Sequence, residues 1–414
     1  MLAKIIETIF SKGLTAIANF VTVVLTAKFL GAEIRGEIAL LLLSVNIVNI
    51  FQVIMTGASV SYFIPRRSNR QVYSLAFTWN LIVGVALSFL IVVLQLLPWG
   101  LLPELLIISF LQGLLALHQN VLIGKEKIRQ QNLLEILRAV GVVGIIAVFI
   151  LGVNQREVDY VYLAYIIANT FAALLGLIFI WKHIASNENR SNTKDLFAEM
   201  FRFGAQAQTN NISQLLNYRF VYYLIEKWQG LDALGVFSVA VALGGATWVI
   251  CKSIATNLYA RLVNEENEEK RIDLTTKLLK LSTYLTVVAL VVIFLLPSEL
   301  YIWLFGEECG NIKELMLYFS PGILFLAMFT IFNHYFTAKD QNMTNVQGSI
   351  IGNVVSVGLG LFLVARYELV GGSATYSVTY ALMFLYLFYQ YKRATGIRFV
   401  KFLPSKNDFK GLGE

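Results

Sequence analysis

Residues 13–30, GLTAIANFVTVVLTAKFL, decide how the rest of the chain is read. The stretch is about as long as one bilayer crossing, which takes roughly 20 apolar residues. Yet Thr15, Asn19, Thr22 and Thr26 recur in it at intervals of 4, 3 and 4, which places them on one helical face. A membrane helix with such a stripe must turn it toward protein or water, since lipid offers polar groups no partner.

Working outward, the chain repeats windows of this kind about twelve times. They lie near 13–30, 38–64, 72–97, 105–123, 133–151, 160–181, 201–225, 236–260, 278–296, 315–338, 343–365 and 373–391. The second and eighth are long enough to tilt or to hold a break. Composition agrees: 57% of residues are hydrophobic and 14% charged, where a soluble domain carries about 25% charged. No gap between windows is large enough for a separate folded domain. The reading is an all-α membrane protein of about twelve transmembrane helices.

Charge orients it. Lys and Arg collect in alternate gaps: Arg66, Arg67 and Arg70, then Lys125, Lys127 and Arg129, then Lys270, Arg271, Lys277 and Lys280, and the tail from Lys392 to Lys410. Cytoplasmic loops carry such an excess, so both termini are expected in the cytoplasm. Lys28, Arg35, Arg156, Lys227, Lys313 and Arg366 are assigned to the opposite side. The net charge of +7 then fits contact with an anionic inner leaflet. Because the basic residues form no compact patch, nucleic acid is not an expected partner.

Other features exclude further classes. The basic start followed by an apolar run lacks a convincing cleavage site, so the first helix is expected to be retained. Cys251 falls in a span and Cys309 in an external loop, and two cysteines make no metal site. The sequons at Asn189, Asn211 and Asn342 fall where glycosylation does not reach. Trp99, Trp181, Trp228 and Trp303 lie at span ends and read as interfacial anchors. No nucleotide loop, metal motif or nucleophile constellation is present, so no catalytic residue, metal or cofactor is assigned and the protein is not read as an enzyme.

The stripe of the first helix returns in the seventh. Gln206, Asn210, Ser213 and Asn217 repeat the 4, 3, 4 spacing, each 191 residues beyond its counterpart. Gly13 and Gly204 share that offset, and Gly36 and Gly235 lie 199 apart in the turns that follow. Inverted or parallel repeats of this kind build transporter folds. The two halves are set at 1–190 and 191–414, with the polar stretch 186–195 between them. Helix–helix hydrogen bonding would explain one stripe. Two stripes, the second widened by Gln214 and Thr209, point to a shared cavity.

Three cations lie at membrane depth. Lys252, with no acidic residue within a helical turn, is expected to line the cavity and touch substrate. Arg219, in the outer third of the seventh helix, either joins it or snorkels to the headgroups. Arg138 is expected to pair with Glu135 one turn away. His118 and His334 read as packing residues. With no Asp or Glu deep in any span, the cavity suits an anionic, hydroxyl-rich substrate: amides bond hydroxyls, and Lys or Arg pairs with phosphate.

Several segments carry a resemblance. Leu30-Gly31-Ala32-Glu33-Ile34-Arg35-Gly36-Glu37-Ile38-Ala39-Leu40 resembles the loop between the first two helices of polysaccharide-unit (O-antigen type, Wzx-like) flippases of the multidrug/oligosaccharidyl-lipid/polysaccharide exporter superfamily. Leu234-Gly235-Val236-Phe237-Ser238-Val239-Ala240 is similar to the matching stretch after the seventh helix. Leu304-Phe305-Gly306-Glu307-Glu308 looks like the external segment between helices nine and ten, and Gly371-Gly372-Ser373-Ala374 like the start of the last helix. The resemblance implies two pseudo-symmetric six-helix lobes around a central cavity lined chiefly by helices one and seven. It also implies transfer of an undecaprenyl-diphosphate-linked oligosaccharide, as substrate, from the inner to the outer leaflet of a bacterial inner membrane. Membrane lipids, a polysaccharide polymerase and chain-length machinery are the implied partners. The substrate-binding candidates are then Thr15, Asn19, Thr22, Thr26, Gln206, Asn210, Ser213, Gln214, Asn217, Arg219 and Lys252. The rivals are an ion-coupled antiporter of the same superfamily and, from another class, a membrane polysaccharide polymerase.

Overall fold

The structure is a computed structural model that describes residues 2–184, 192–265, 267–339 and 341–397. Only the backbone is described at 2–10, 183, 209–219, 249, 250, 253, 256, 257, 259–261, 263 and 264. Among the described residues the regular structure is helical throughout: α1 (Leu2–Thr56), α2 (Ala58–Phe63), α3 (Asn69–Val93), α4 (Leu102–Gly124), α5 (Ile128–Ala147), α6 (Val158–Ile184), α7 (Thr193–Asn264), α8 (Glu268–Leu295), α9 (Ser298–Phe305), α10 (Ile312–Ala338) and α11 (Asn342–Thr395). With no water in the bilayer core, a helix is the way for one segment to satisfy its own N–H and C=O groups.

Nine helices of the described residues are long and apolar enough to cross a membrane, which makes the chain a multi-pass membrane protein. The expected count of twelve is not reproduced as twelve separate helices, and the reason is local. Where short loops were expected, α1, α7 and α11 are each broken by a single non-helical residue. Gly31 stands at φ 86, ψ 172 in α1, and Gly230 at φ 87, ψ −179 in α7. Both occupy a backbone region that is essentially restricted to glycine. They lie 199 residues apart, the offset already seen for Gly36 and Gly235. The duplication therefore shows in backbone conformation as well as in sequence. The third break is Glu368 at φ 53, ψ −131, a left-handed position without glycine's freedom. The long second window also breaks: α1 ends at Thr56, Gly57 caps α2, and the chain resumes to Phe63. The eighth window, by contrast, is continuous helix from beyond Gly230 to Asn264.

Two compact units divide the chain, Met1–Ile212 and Ser213–Glu414. In the first, Met55, Leu115, Leu122, Leu134, Ala172 and Met200 belong to one buried cluster. Side chains that bond a neighbouring helix's backbone tie the bundle together. Trp79 Nε1 donates to Phe51 O at 3.0 Å, Asn80 Nδ2 to Phe110 O at 3.1 Å, and Ser59 Oγ to Met200 O at 3.0 Å. His118 is spanned on both nitrogens, with Nδ1 3.0 Å from Ala173 O and Nε2 3.0 Å from Tyr73 Oη. It is the packing residue the sequence suggests. The outward faces carry large apolar side chains at helical spacing, such as Ile167, Phe171, Leu174, Ile178 and Trp181 on α6. Trp99, Trp228 and Trp303 are exposed like Trp181, as interfacial anchors require.

In the second unit, α10 contains Pro321, which can neither donate a hydrogen bond nor let the helix pass undisturbed. Ser377 of α11 repairs the gap. Its hydroxyl accepts from Gly322 N at 2.9 Å and donates to Tyr318 O at 2.5 Å. A Cβ on Gly322 would stand 2.8 Å from Ser377 Cα, so the close approach requires glycine there. At one end of the same unit Glu268 joins α8 to α10, accepting from Tyr335 Oη and Lys339 Nζ at 2.8 Å each. The short α9 ends at Gly306, where φ is 97. Its buried Tyr301 donates to Ile293 O at 2.5 Å, and burial holds this phenol above its ordinary pKa. Cys251 and Cys309 are both buried and are not joined by a disulfide.

Two outcomes are expected on thermal unfolding in detergent. Ser377→Ala leaves two groups of the α10 ladder without partners and should cost about 1–3 kcal/mol; an unchanged Tm would mean that Ser377 is not the bridge. Ala at position 230 would touch nothing within 4 Å, so the cost of Gly230→Ala is conformational, about 1–3 kcal/mol. Glu368→Gly should move stability the other way.

Candidate functional site

The first unit holds an open pocket of about 370 Å³ between α1, α4, α5 and α6, lined by polar and apolar side chains alike. Its construction starts from the break at Gly31. Because the helix restarts at once, Arg35 lies in the first turn of the second arm of α1 and not in a loop. It is 6% exposed. From there Leu42, Asn46 and Asn49 follow at intervals of 7, 4 and 3, one helical face that turns into the pocket with Arg35. The first arm contributes Asn19 and Thr22. Opposite them, α4 presents Gln112 and Gln119, two turns apart, while α5 adds Arg138 and α6 adds Tyr165.

No carboxylate lines this pocket among the described residues. Glu37 accepts from Tyr162 Oη at 2.7 Å, and Glu135 from Gln131 Nε2 at 3.2 Å. The ion pair expected between Glu135 and Arg138 is therefore not formed. At one turn's separation both partners were free to meet, but Arg138 turns to the pocket and Glu135 to its own helix. The assignment of Arg35 to an external loop is corrected too: a single glycine makes the turn, so the cation falls inside the bundle. Asn49 Nδ2 is buried with no partner in the protein. Donors outnumber acceptors around the space, which suits a ligand rich in hydroxyl or anionic oxygen and disfavours a bare cation.

The residues singled out from the sequence divide. Asn19 and Thr22 reach the pocket. Thr22 also donates to Ala18 O at 3.0 Å, and Thr26 is buried with its hydroxyl on Thr22 O at 2.8 Å. Thr15 is 7% exposed, with Oγ1 unpartnered. Gln206 is exposed on α7. The side chains of Asn210, Ser213, Gln214, Asn217 and Arg219 lie outside the described residues. Lys252 is exposed within the second unit, its ammonium 5.1 Å from the ring centre of Trp248. The Trp248 indole donates to Thr330 Oγ1 at 3.1 Å, and His334 Nδ1 lies 2.9 Å from Thr330 O. Lys252 thus stands at the head of a polar seam between α7 and α10.

Sequence reasoning missed Arg35, Asn46, Asn49, Gln112, Gln119 and Tyr165. The signal was present as spacing: 35, 42, 46 and 49 form one stripe, and 112 and 119 lie seven apart. Among the described residues no cluster of three or more His, Cys, Asp or Glu could hold a metal ion.

Comparison with known proteins fits this architecture. The chain is 22% identical over 323 residues to the capsular polysaccharide biosynthesis protein CapF of Staphylococcus aureus, covering 75% of this chain and 79% of that protein. An inward-facing multidrug resistance MATE family transporter of the MOP superfamily shares the fold with a TM-score of 0.74 at 13% identity, over 92% of this chain and 94% of the other. The lipid II flippase MurJ, in an inward closed conformation, shares it with a TM-score of 0.70 at 14% identity, over 95% and 88%. The family described as polysaccharide biosynthesis protein matches residues 1–259. With well over half its length matched there, the chain belongs to the polysaccharide biosynthesis protein family.

Proposed function

We propose that the protein is a flippase that moves an undecaprenyl-diphosphate-linked oligosaccharide unit from the inner to the outer leaflet of a bacterial inner membrane by alternating access. On this reading the breaks at Gly31, Gly230 and Glu368 are turns between successive crossings, which gives twelve with both termini cytoplasmic. The observation that carries it is the pocket in the first unit, where amides, hydroxyls and guanidinium groups share the lining with apolar side chains in a bundle whose outer face is apolar. Amides and hydroxyls bond sugars, and cations balance a diphosphate. The family and the likeness to a capsular polysaccharide biosynthesis protein support a polysaccharide precursor as cargo. The fold shared with a lipid II flippase supports a lipid-linked form of it.

Asn19 and Thr22 contact the head of the substrate in this scheme, and Gln206, Asn210, Ser213, Gln214 and Asn217 are further substrate-binding residues in it. Lys252 supplies a counter-charge, joined by Arg219. With the cytoplasm negative, outward movement of negative charge is favoured by about 2.3 kcal/mol per charge per 100 mV, so the electrostatics require no coupling ion. The likeness to a multidrug transporter gives a second reading, an antiporter of small molecules. Against it stands the pocket's lack of a carboxylate, the group that would bind a cationic drug or carry a coupling proton.

Depletion of the protein should trap the lipid-linked sugar in the inner leaflet, read by its accessibility to an external glycosidase or lectin in spheroplasts. An unchanged leaflet distribution, or efflux of cationic dyes that depends on the protein, would overturn the flippase reading. Lys252→Ala should slow export at equal protein level, by roughly fivefold at most, since an exposed charge contact contributes up to about 1 kcal/mol.

A further inference from the structure

The pocket leaves one end of the first unit out of account. Tyr73 of α3, His118 of α4 and Ala173 of α6 meet at one level, through the two hydrogen bonds of the imidazole. The start of α3 therefore lies at the same end of the unit as the close of α4. Gly124, at that close, lies against α2, where a Cβ on it would stand 2.9 Å from Ser61 O and 3.4 Å from Ile64 Cβ. The turns 64–70 and 124–130 are thus packed side by side. Six of their residues are Lys or Arg, and Glu126 is the one acid. The link between α3 and α4 at the other end, residues 94–101, carries no charge, and Arg156 of the next link has Glu157 beside it. Arg67 is paired with Glu199 at 3.1 Å. Arg66, Arg70, Lys125 and Lys127 pair with no acid among the described residues, and of these only Lys125 is not fully exposed.

Topology alone accounts for cations at this end, but not for how Arg66 is held. Its guanidinium lies 4.0 Å from the centre of the Tyr62 ring, and Nη1 donates to Tyr62 O at 2.6 Å. The same ring stacks on Phe203 of α7, with 4.5 Å between centres. A side chain that is ordinarily flexible is therefore fixed on an aromatic shelf, with most of its N–H donors still unused. Apolar side chains stand exposed at this end beside the cations: Tyr62, Ile123 and Trp181. A soluble polyanion would cover the charge and leave these in water. A phospholipid meets both, with phosphate at the headgroup level and acyl chains below it. We infer that the α2–α3 and α4–α5 turns form a site for the phosphate of an anionic phospholipid, with Arg66 and Lys127 as its cations and Tyr62 as its apolar floor. The planar fork of Arg66 suits phosphate oxygens, and the Lys127 ammonium adds a mobile point charge. The occupant is a resident lipid of the leaflet and not the cargo, so the site does not depend on the flippase reading.

The test uses the full-length protein in detergent, with phosphatidylglycerol and phosphatidylcholine of matched acyl chains as probes, read by native mass spectrometry as lipid retained on the protein. Phosphatidylglycerol should be retained in preference. Arg66→Gln and Lys127→Gln should each lower that preference roughly fivefold, the contribution of one basic residue at an anionic surface. Arg156→Gln, at the other end of the unit, should leave it unchanged. Because Arg66 also bonds the backbone of α2, the exposed Lys127 keeps the test open if the Arg66 variant fails to fold. Equal retention of the two lipids, or a preference unchanged in Lys127→Gln, would overturn the site. So would an equal loss in Arg156→Gln, which would reduce the effect to net charge, or binding of soluble polyglutamate where phosphatidylglycerol is not retained, which would give the surface to a partner in water. The flippase reading fails separately: if depletion leaves the glycolipid's leaflet distribution unchanged, it falls even where the phospholipid binds.

Discussion

The structure depends on one constraint: inside a bilayer no water is at hand, so each polar group must find its partner in the protein or in a pocket the protein makes. Backbone groups meet it through helices. Small side chains meet it by bonding back onto the preceding turn, as Thr56 does to Gln52 O at 3.1 Å and Thr286 to Ser282 O at 2.7 Å. Larger amides reach across to neighbours, as Asn80 and Gln52 do. A further set of amides and cations faces the pocket of the first unit.

Much of this was legible in the sequence because the constraint writes itself there. Apolar windows marked the helices, and the tryptophans marked their ends. A polar stripe repeated at fixed offset revealed the duplication, and His118 was correctly read as packing. The errors share a cause. A span count assumes loops between spans, but Gly31 turns the chain in a single residue, so Arg35 was counted as a loop charge. The same economy hid Gly230, although its distance from Gly31 equals that of Gly36 and Gly235. Arg138 and Glu135 were paired because one turn separates them. Sequence spacing shows that two side chains can meet, but not whether a third party competes. Gln131 and the pocket were those competitors.

The two halves share a glycine break and differ in the side chains that follow it. Both kept the glycine break, where the backbone conformation admits little else. Only the first kept cations and amides on the face that follows it. In the second, the corresponding positions carry Leu234, Gly245 and Trp248, and the indole of Trp248 donates to Thr330 Oγ1 and lies beside the Lys252 ammonium.

The hydroxyl of Ser377 has a mechanical consequence. It is held by the amide on one side of Pro321 and holds the carbonyl on the other, so α10 could straighten or flex at its proline only by releasing α11 or by taking it along. Any stroke of the second unit that bends α10 is therefore geared to α11, and the two helices move as a single lever whose pivot belongs to both.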